Sequence, residues 1–373
     1  MRTINFEKTV RQILETAGVE INGRQPWDIH VHNSEFYKRV VTQRTLGLGE
    51  SYMEGWWTCE AIDQLFDRLV RAELHRTVKL PLDLKVSILL GQYLNRQKRS
   101  RSLRVVKDHY NAKSSVLLSF LDDYKQYSCG YFEDTDDLNT AQRKKLNLIC
   151  RKLSLSTEDH VLDIGCGYGG FARYAAEHYG CKVTGITPSK SQIKYAKAWN
   201  RDLNVAFYDS YYQEVKGDFT KVVSVGMFEH VGHKNYRTFM KKVYDCLKDD
   251  GIFLLHTMGG NISVFTNDPW VDKYIFPNGM LPSVQQIAKA AEEFFVIEDF
   301  HNFGSYYDNT LMAWHKNFLK NFHKIKNQLD ETIFRMWEYY FLHFAGTFRG
   351  RKIQLWQFVF SKKGIPGGYG SIR

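Results

Sequence analysis

The stretch VLDIGCGYGG, Val161 to Gly170, decides the fold. Val161, Leu162 and Ile164 make a short apolar strand with one acid, Asp163, near its end, and glycines follow at 165, 167, 169 and 170 before an amphipathic run. Glycines between a strand and a helix let the backbone approach a ligand and present amides at a helix start. The third glycine falls at 169, one position ahead of that in the GxGxxG dinucleotide fingerprint. Outward from this turn, β-branched runs alternate with amphipathic helices, the pattern of βαβ units and a parallel sheet. Strands are expected at His160–Ile164, Lys182–Ile186, Val205–Tyr208, Lys221–Gly226 and Ile252–His256, with helices near 170–179, 189–200 and 234–247. The late run KIQLWQFVFSK reads as a strand closing the same sheet.

An acidic strand end followed by a GxGxG turn resembles the S-adenosylmethionine site of class I methyltransferases, which implies an α/β, Rossmann-like catalytic domain. Such enzymes usually carry an acid after the second strand for the ribose hydroxyls. Here the sequence is GITPSKSQ, so Thr187 and Gln192 are left to supply neutral hydrogen bonds. Open α/β sheets hold ligands at the carboxyl ends of their strands. The fourth strand ends in VGMFEHVG, giving Glu229 and His230, and the fifth in LLHTMG, giving His256. The NPPY-like turn that grips a flipped nucleic-acid base is absent after strand four, and DPW at 268–270 comes well after strand five.

The rest of the composition narrows the partners. Of 373 residues 43% are hydrophobic and 25% charged, an ordinary globular mix that excludes disorder, collagen and disulfide miniproteins. Aromatic residues reach 15% and suit large apolar pockets and membrane boundaries. The net charge of +10 favours an anionic partner, either nucleic acid or a phospholipid surface. Six scattered cysteines without a CxxC pair, and a start without a basic-then-apolar leader, lead us to expect reduced thiols in a cytoplasm. No run approaches the ~18 apolar residues of a membrane span.

Residues 5–17 read as an amphipathic helix, and further helices are expected around 60–74 and 80–95. GLGESYMEGWW, Gly47 to Trp57, reads as a glycine turn packed against bulky rings. RQKRSRSLR, Arg96 to Arg104, has five basic residues and no acid, as suits a linker or a patch facing phosphates. Two further segments are both polar and aromatic: QYSCGYF, Gln126 to Phe132, and NFGSYYDNTL, Asn302 to Leu311.

Taken together these segments resemble the bacterial cyclopropane-fatty-acyl-phospholipid synthases, related to the mycolic acid cyclopropane synthases. The likeness spans nearly the whole chain: GLGESYMEGWW, HYN (109–111), QYSCGYF, VLDIGCGYGG, VSVGMFEHVG, FLLHTMG, DPWVDKYIFPNGMLPS, LMAW and IQLWQ. The resemblance implies methylene transfer from S-adenosylmethionine to the cis double bond of a phospholipid acyl chain, with a bound bicarbonate ion as base. It places bicarbonate at Cys129, Glu229, His256 and Tyr307, near the backbone of Met258. It places the cofactor at Tyr127, Ser128, Asp163, Gly165, Cys166, Gly167, Thr187, Gln192 and Tyr212. It also implies a helical lipid-docking domain over residues 1–95, a basic linker over 96–104, a catalytic domain over 105–373, and a homodimer at the inner membrane surface. Two positions depart from the pattern: Tyr211 stands where relatives often have Asp, and Phe344 where many have Cys. Trp270, Tyr274, Phe276 and Phe303 are expected acyl contacts. The alternatives are a lipid methyltransferase that leaves the ring open, a non-catalytic lipid- or nucleic-acid-binding module, and, least favoured, a nucleic-acid methyltransferase.

Overall fold

The computed structural model describes residues 5–73 and 114–373. The expected helix at 80–95, the basic run Arg96 to Arg104 and His109 to Asn111 lie outside the described residues. The first region holds α1 (Phe6–Glu15), β1 (His30–Val31), α2 (Glu35–Met53), β2 (Trp57–Thr58) and α3 (Ile62–Arg71). Next come α4 (Ser114–Phe120) and α5 (Leu138–Lys152), then β3 (His160–Ile164), α6 (Gly170–Tyr179), β4 (Lys182–Thr187), α7 (Lys190–Trp199), β5 (Val205–Asp209) and β6 (Phe219–Val225). The chain continues through α8 (Tyr236–Cys246), β7 (Leu247–Gly260), α9 (Pro269–Tyr274), α10 (Val284–Ala291), β8 (Val296–Asn302), α11 (Tyr306–Ile325), α12 (Glu331–Arg349) and β9 (Ile353–Ser361).

Strands β3 to β9 form one seven-stranded sheet in the order β5-β4-β3-β6-β7-β9-β8. Pairing is parallel from β5 through β7, and β9 runs antiparallel between β7 and β8. The chain steps outward from β3 to β5 and then returns to β6 beside β3. That reversal opens a crevice at the carboxyl ends of β3 and β6, where a doubly wound sheet binds its ligand. The central strands are apolar and covered on both faces by helices, as parallel strands require. β8 was not among the expected strands. VIEDFHN is an edge strand with polar residues at alternate and adjacent positions, so its periodicity is weak.

Gly47 to Met53, expected as a turn, lies inside α2; the backbone breaks earlier, at Arg44 with φ 55°. The glycines serve close approach within the helix. A Cβ on Gly49 would sit 2.4 Å from the Trp270 ring, and one on Gly47 would sit 2.5 Å from the Arg39 carbonyl oxygen. Tyr52, Trp57 and Phe66 continue this packing against Tyr339 of α12. Polar contacts add to it. Glu50 is held by Arg39, Lys273 and Tyr274, and Arg349 bridges Asp63 and Asp308.

Candidate active site

At the carboxyl ends of β3, β4, β6 and β7 lies a cavity of about 670 Å³, within the roughly 300–1,000 Å³ typical of small-molecule sites. Its floor is the glycine turn. Gly165 and Gly167 have φ of +87° and +54°, in the left-handed region that favours glycine. The amides of Gly165 and Cys166 both donate to the Ile186 carbonyl, at 2.9 and 3.0 Å, which clamps the turn onto β4. Asp163 is buried and its Oδ2 has no hydrogen-bond partner among the described residues. Burial pushes its carboxyl up to about 7, opposed by the charge of Lys145. A buried, unpaired carboxylate oxygen on a cavity wall calls for a bound donor or cation. That is the chemistry of a ligand carrying hydroxyl and ammonium groups, so S-adenosylmethionine fits.

Around the floor stand the other residues expected to hold the cofactor. Tyr127, Ser128, Cys166, Thr187, Gln192 and Tyr212 all line the cavity. Thr187 Oγ1 donates to Gln192 Oε1 at 3.1 Å, so these two are tied to each other. Ser128 is fixed from behind by α5. Its hydroxyl accepts from the Lys145 ammonium at 3.0 Å, and its carbonyl accepts from the Gln142 amide at 2.7 Å. Lys145 is fully buried, and burial lowers it to about 8.

The second polar group sits on the β6 and β7 side. Glu229 lies on a 3₁₀ turn after β6, with Oε1 accepting from the Met258 amide at 2.7 Å and Oε2 without a partner among the described residues. Burial pushes it up to about 7, while the backbone donors pull the other way. His256 of β7 is fully buried. Its Nδ1 lies 3.2 Å from Gln357 Nε2 and its Nε2 has no partner among the described residues. Desolvation, with Lys145 and Lys152 adding positive charge, drives it well below the usual imidazole range. His256 is therefore neutral, and Glu229 keeps its proton up to about pH 7. Tyr307, in the first turn of α11, packs on Phe348 at 4.4 Å between ring centroids. Glu229, His256, Met258 and Tyr307 share the cavity wall.

Cys129 does not. It is fully buried one residue beyond Ser128, its thiol donating to the Gly130 carbonyl at 3.2 Å and accepting from Thr310 Oγ1 at 3.8 Å. Of the four expected acyl contacts, Phe276 lines the cavity, whereas Trp270, Tyr274 and Phe303 pack in the surrounding core. The remaining lining is largely apolar and comes from three regions. Leu48, Phe66, Leu69 and Val70 belong to the first region, Val271, Leu281 and Met280 to the segment around α9, and Phe344 and Ile353 to the chain's end. Phe344, one of the two departures from the family pattern, thus places a ring on the wall. Sequence reading missed Lys145, Gln142 and Gln357; the available signal was a polar residue interrupting an otherwise apolar face.

The glycine turn under a buried acidic strand end, in this sheet order, defines a methyltransferase that uses S-adenosylmethionine. The comparisons agree. The mycolic acid cyclopropane synthetase family model matches residues 97–358. The cyclopropane-fatty-acyl-phospholipid synthase of Escherichia coli strain K12 is 46% identical over 366 residues, covering 98% of this chain and 95% of that protein. Among solved structures, the cyclopropane synthase MmaA2 from Mycobacterium tuberculosis superposes with a TM-score of 0.66 at 25% identity, covering 70% of this chain and 98% of its own. Mycolic acid cyclopropane synthase CmaA1, complexed with SAH and CTAB, gives 0.64 at 28%, with the same coverage. The chain belongs to the mycolic acid cyclopropane synthetase family, and its activity is that of a cyclopropane fatty acid synthase using S-adenosylmethionine.

Proposed function

We propose that the enzyme acts on a cis-unsaturated acyl chain of a membrane phospholipid and that its base is a bicarbonate ion held by Glu229, His256 and Tyr307. The observation that carries this reading is the pair of buried polar atoms without a partner among the described residues, Glu229 Oε2 and His256 Nε2, on the wall of one largely apolar cavity. S-adenosylmethionine supplies the electrophilic methyl group, and bicarbonate takes the proton that group must lose before the ring closes. Tyr127, Ser128, Asp163, Gly165, Cys166, Gly167, Thr187, Gln192 and Tyr212 hold the cofactor.

The chain's own residues set the conditions. The alkene is a weak nucleophile, so the apolar lining aligns it and keeps water out. Addition of the methyl group leaves a carbocation. Phe276 and Phe344 line the cavity with aromatic side chains, which favour positive charge and offer it no lone pair. A protonated Glu229 donates to the anion where an ionised one would repel it, and the Tyr307 hydroxyl adds a neutral donor. The placement of Cys129 supports packing of this wall rather than direct contact with the anion.

Docking on an anionic bilayer at the inner membrane surface, through residues 1–95 and the basic run Arg96 to Arg104, completes the proposal, as does a homodimer. These rest on the sequence resemblance and the basic charge. Among the described residues no helix is long and apolar enough to cross a membrane. The test is turnover in carbonate-free buffer with bicarbonate added back. The reading predicts a saturable bicarbonate requirement whose half-saturating concentration rises in His256→Ala and Tyr307→Phe. Full activity without bicarbonate would refute it.

A further inference from the structure

A glutamine stands in β9 where the fold itself favours an apolar side chain. Leu355, Trp356, Phe358, Val359 and Phe360 are buried, and Gln357 is fully buried among them with Oε1 lacking any partner among the described residues. Leaving a polar atom so placed costs stability, a cost offset only by the bond its Nε2 makes. The sheet register puts Gln357 opposite His256 on β7 and opposite His301 on β8, a polar row across three strands.

Gln357 Nε2 lies 3.2 Å from His256 Nδ1. With the amide in this orientation its nitrogen donates and Nδ1 accepts, and a neutral imidazole then carries its one proton on Nε2; the reverse orientation would instead take a proton from Nδ1. Nε2 is the ring atom with no partner among the described residues, and His256 lies on the cavity wall. The groups packed around the ring oppose a second proton. Lys145 and Lys152 of α5 bring positive charge, and Phe303 an apolar ring at 5.8 Å.

We propose that Gln357 is a positioning residue: its amide fixes His256 as the Nε2–H tautomer and so aims a neutral N–H donor into the cavity at the bound anion. This rests on reading the site as an anion cage. A neutral donor stabilises the anion and leaves it basic, whereas an imidazolium would protonate it. The opposite tautomer would present a lone pair to an anionic oxygen and repel it.

The experiment is nitrogen-15 NMR of the histidine-labelled full chain, with the His256 signals assigned by their loss in His256→Ala. It is run on the parent, Gln357→Leu and Gln357→Glu, alongside bicarbonate and S-adenosylmethionine titrations of activity. The parent should show a protonated Nε2 and an unprotonated Nδ1. In Gln357→Glu the carboxylate accepts from Nδ1, and the pattern should reverse. Gln357→Leu should still unfold cooperatively and should need about 10-fold more bicarbonate or above, the scale on which partners behind a ligating histidine act, with the KM for S-adenosylmethionine unchanged. A protonated Nδ1 in the parent, or a Gln357→Leu variant with unaltered tautomer and bicarbonate requirement, overturns the proposal. A parent indifferent to bicarbonate overturns the anion reading instead, because the NMR pattern tests the tautomer by itself.

Discussion

Replacing Glu229 by Gln should stabilise the ligand-free enzyme, and by an amount that depends on pH. Burial raises this carboxyl from 4.5 to about 7. The folded chain therefore binds the proton more tightly than the unfolded chain, and stability falls as pH rises from about 4.5 to about 7, then levels off. A shift of about 2.5 units at 1.36 kcal/mol per unit corresponds to about 3 kcal/mol lost above pH 7, and to less than about 1 kcal/mol at pH 5. Glutamine has no charge to desolvate, and its Oε1 can still accept from the Met258 amide. Comparing urea unfolding of Glu229→Gln with the parent at pH 5 and pH 8 isolates this group, because Asp163 and Asp122 titrate in both. The variant should gain about 3 kcal/mol at pH 8 and little at pH 5. An equal difference at both pH values, or a variant less stable at pH 8, would show that Glu229 is not a desolvated acid.

Other perturbations probe the remaining parts of the account. Glu229→Gln should keep far more activity than Glu229→Ala, since Gln retains both the contact to Met258 and a neutral donor; equal losses would argue against a protonated Glu229. Asp163→Asn should raise the KM for S-adenosylmethionine at least 10-fold, the cost of about 1.4 kcal/mol or more for a lost buried acceptor, as read by initial rates. The Cys129 thiol is buried and held protonated, so peptide mapping after brief alkylation of the native enzyme at pH 8 should find it unmodified. Binding to anionic vesicles should weaken as salt rises through the physiological range, and binding indifferent to salt would remove the role given to Arg96 through Arg104.

Much of the catalytic half was legible because its signals are local. VLDIGCGYGG places a strand, a turn and a helix within ten residues, and the structure puts β3 at His160–Ile164 and starts α6 at Gly170 as expected. Glu229 and His256 were found from topology, since both lie at the carboxyl side of the sheet. What stayed hidden depended on tertiary contact. Gly49 looks like a turn residue until Trp270 is seen packed on it. Cys129 and Ser128 are neighbours in sequence, but only Ser128 faces the cavity, and that choice is made by Lys145 and Gln142 on α5. Gln357 is visible only as an interruption of an apolar strand until the register pairs it with His256.

The most direct test of the central claim is the product itself. Purified enzyme is incubated with S-adenosylmethionine and vesicles of a cis-unsaturated phospholipid, and the recovered acyl chains are examined by proton NMR. The account predicts the upfield signals of cyclopropyl protons, appearing in step with loss of the vinyl signals and diminishing when bicarbonate is depleted. Methyl-branched chains without a ring would contradict the proposed deprotonation, and unchanged lipid would contradict the substrate.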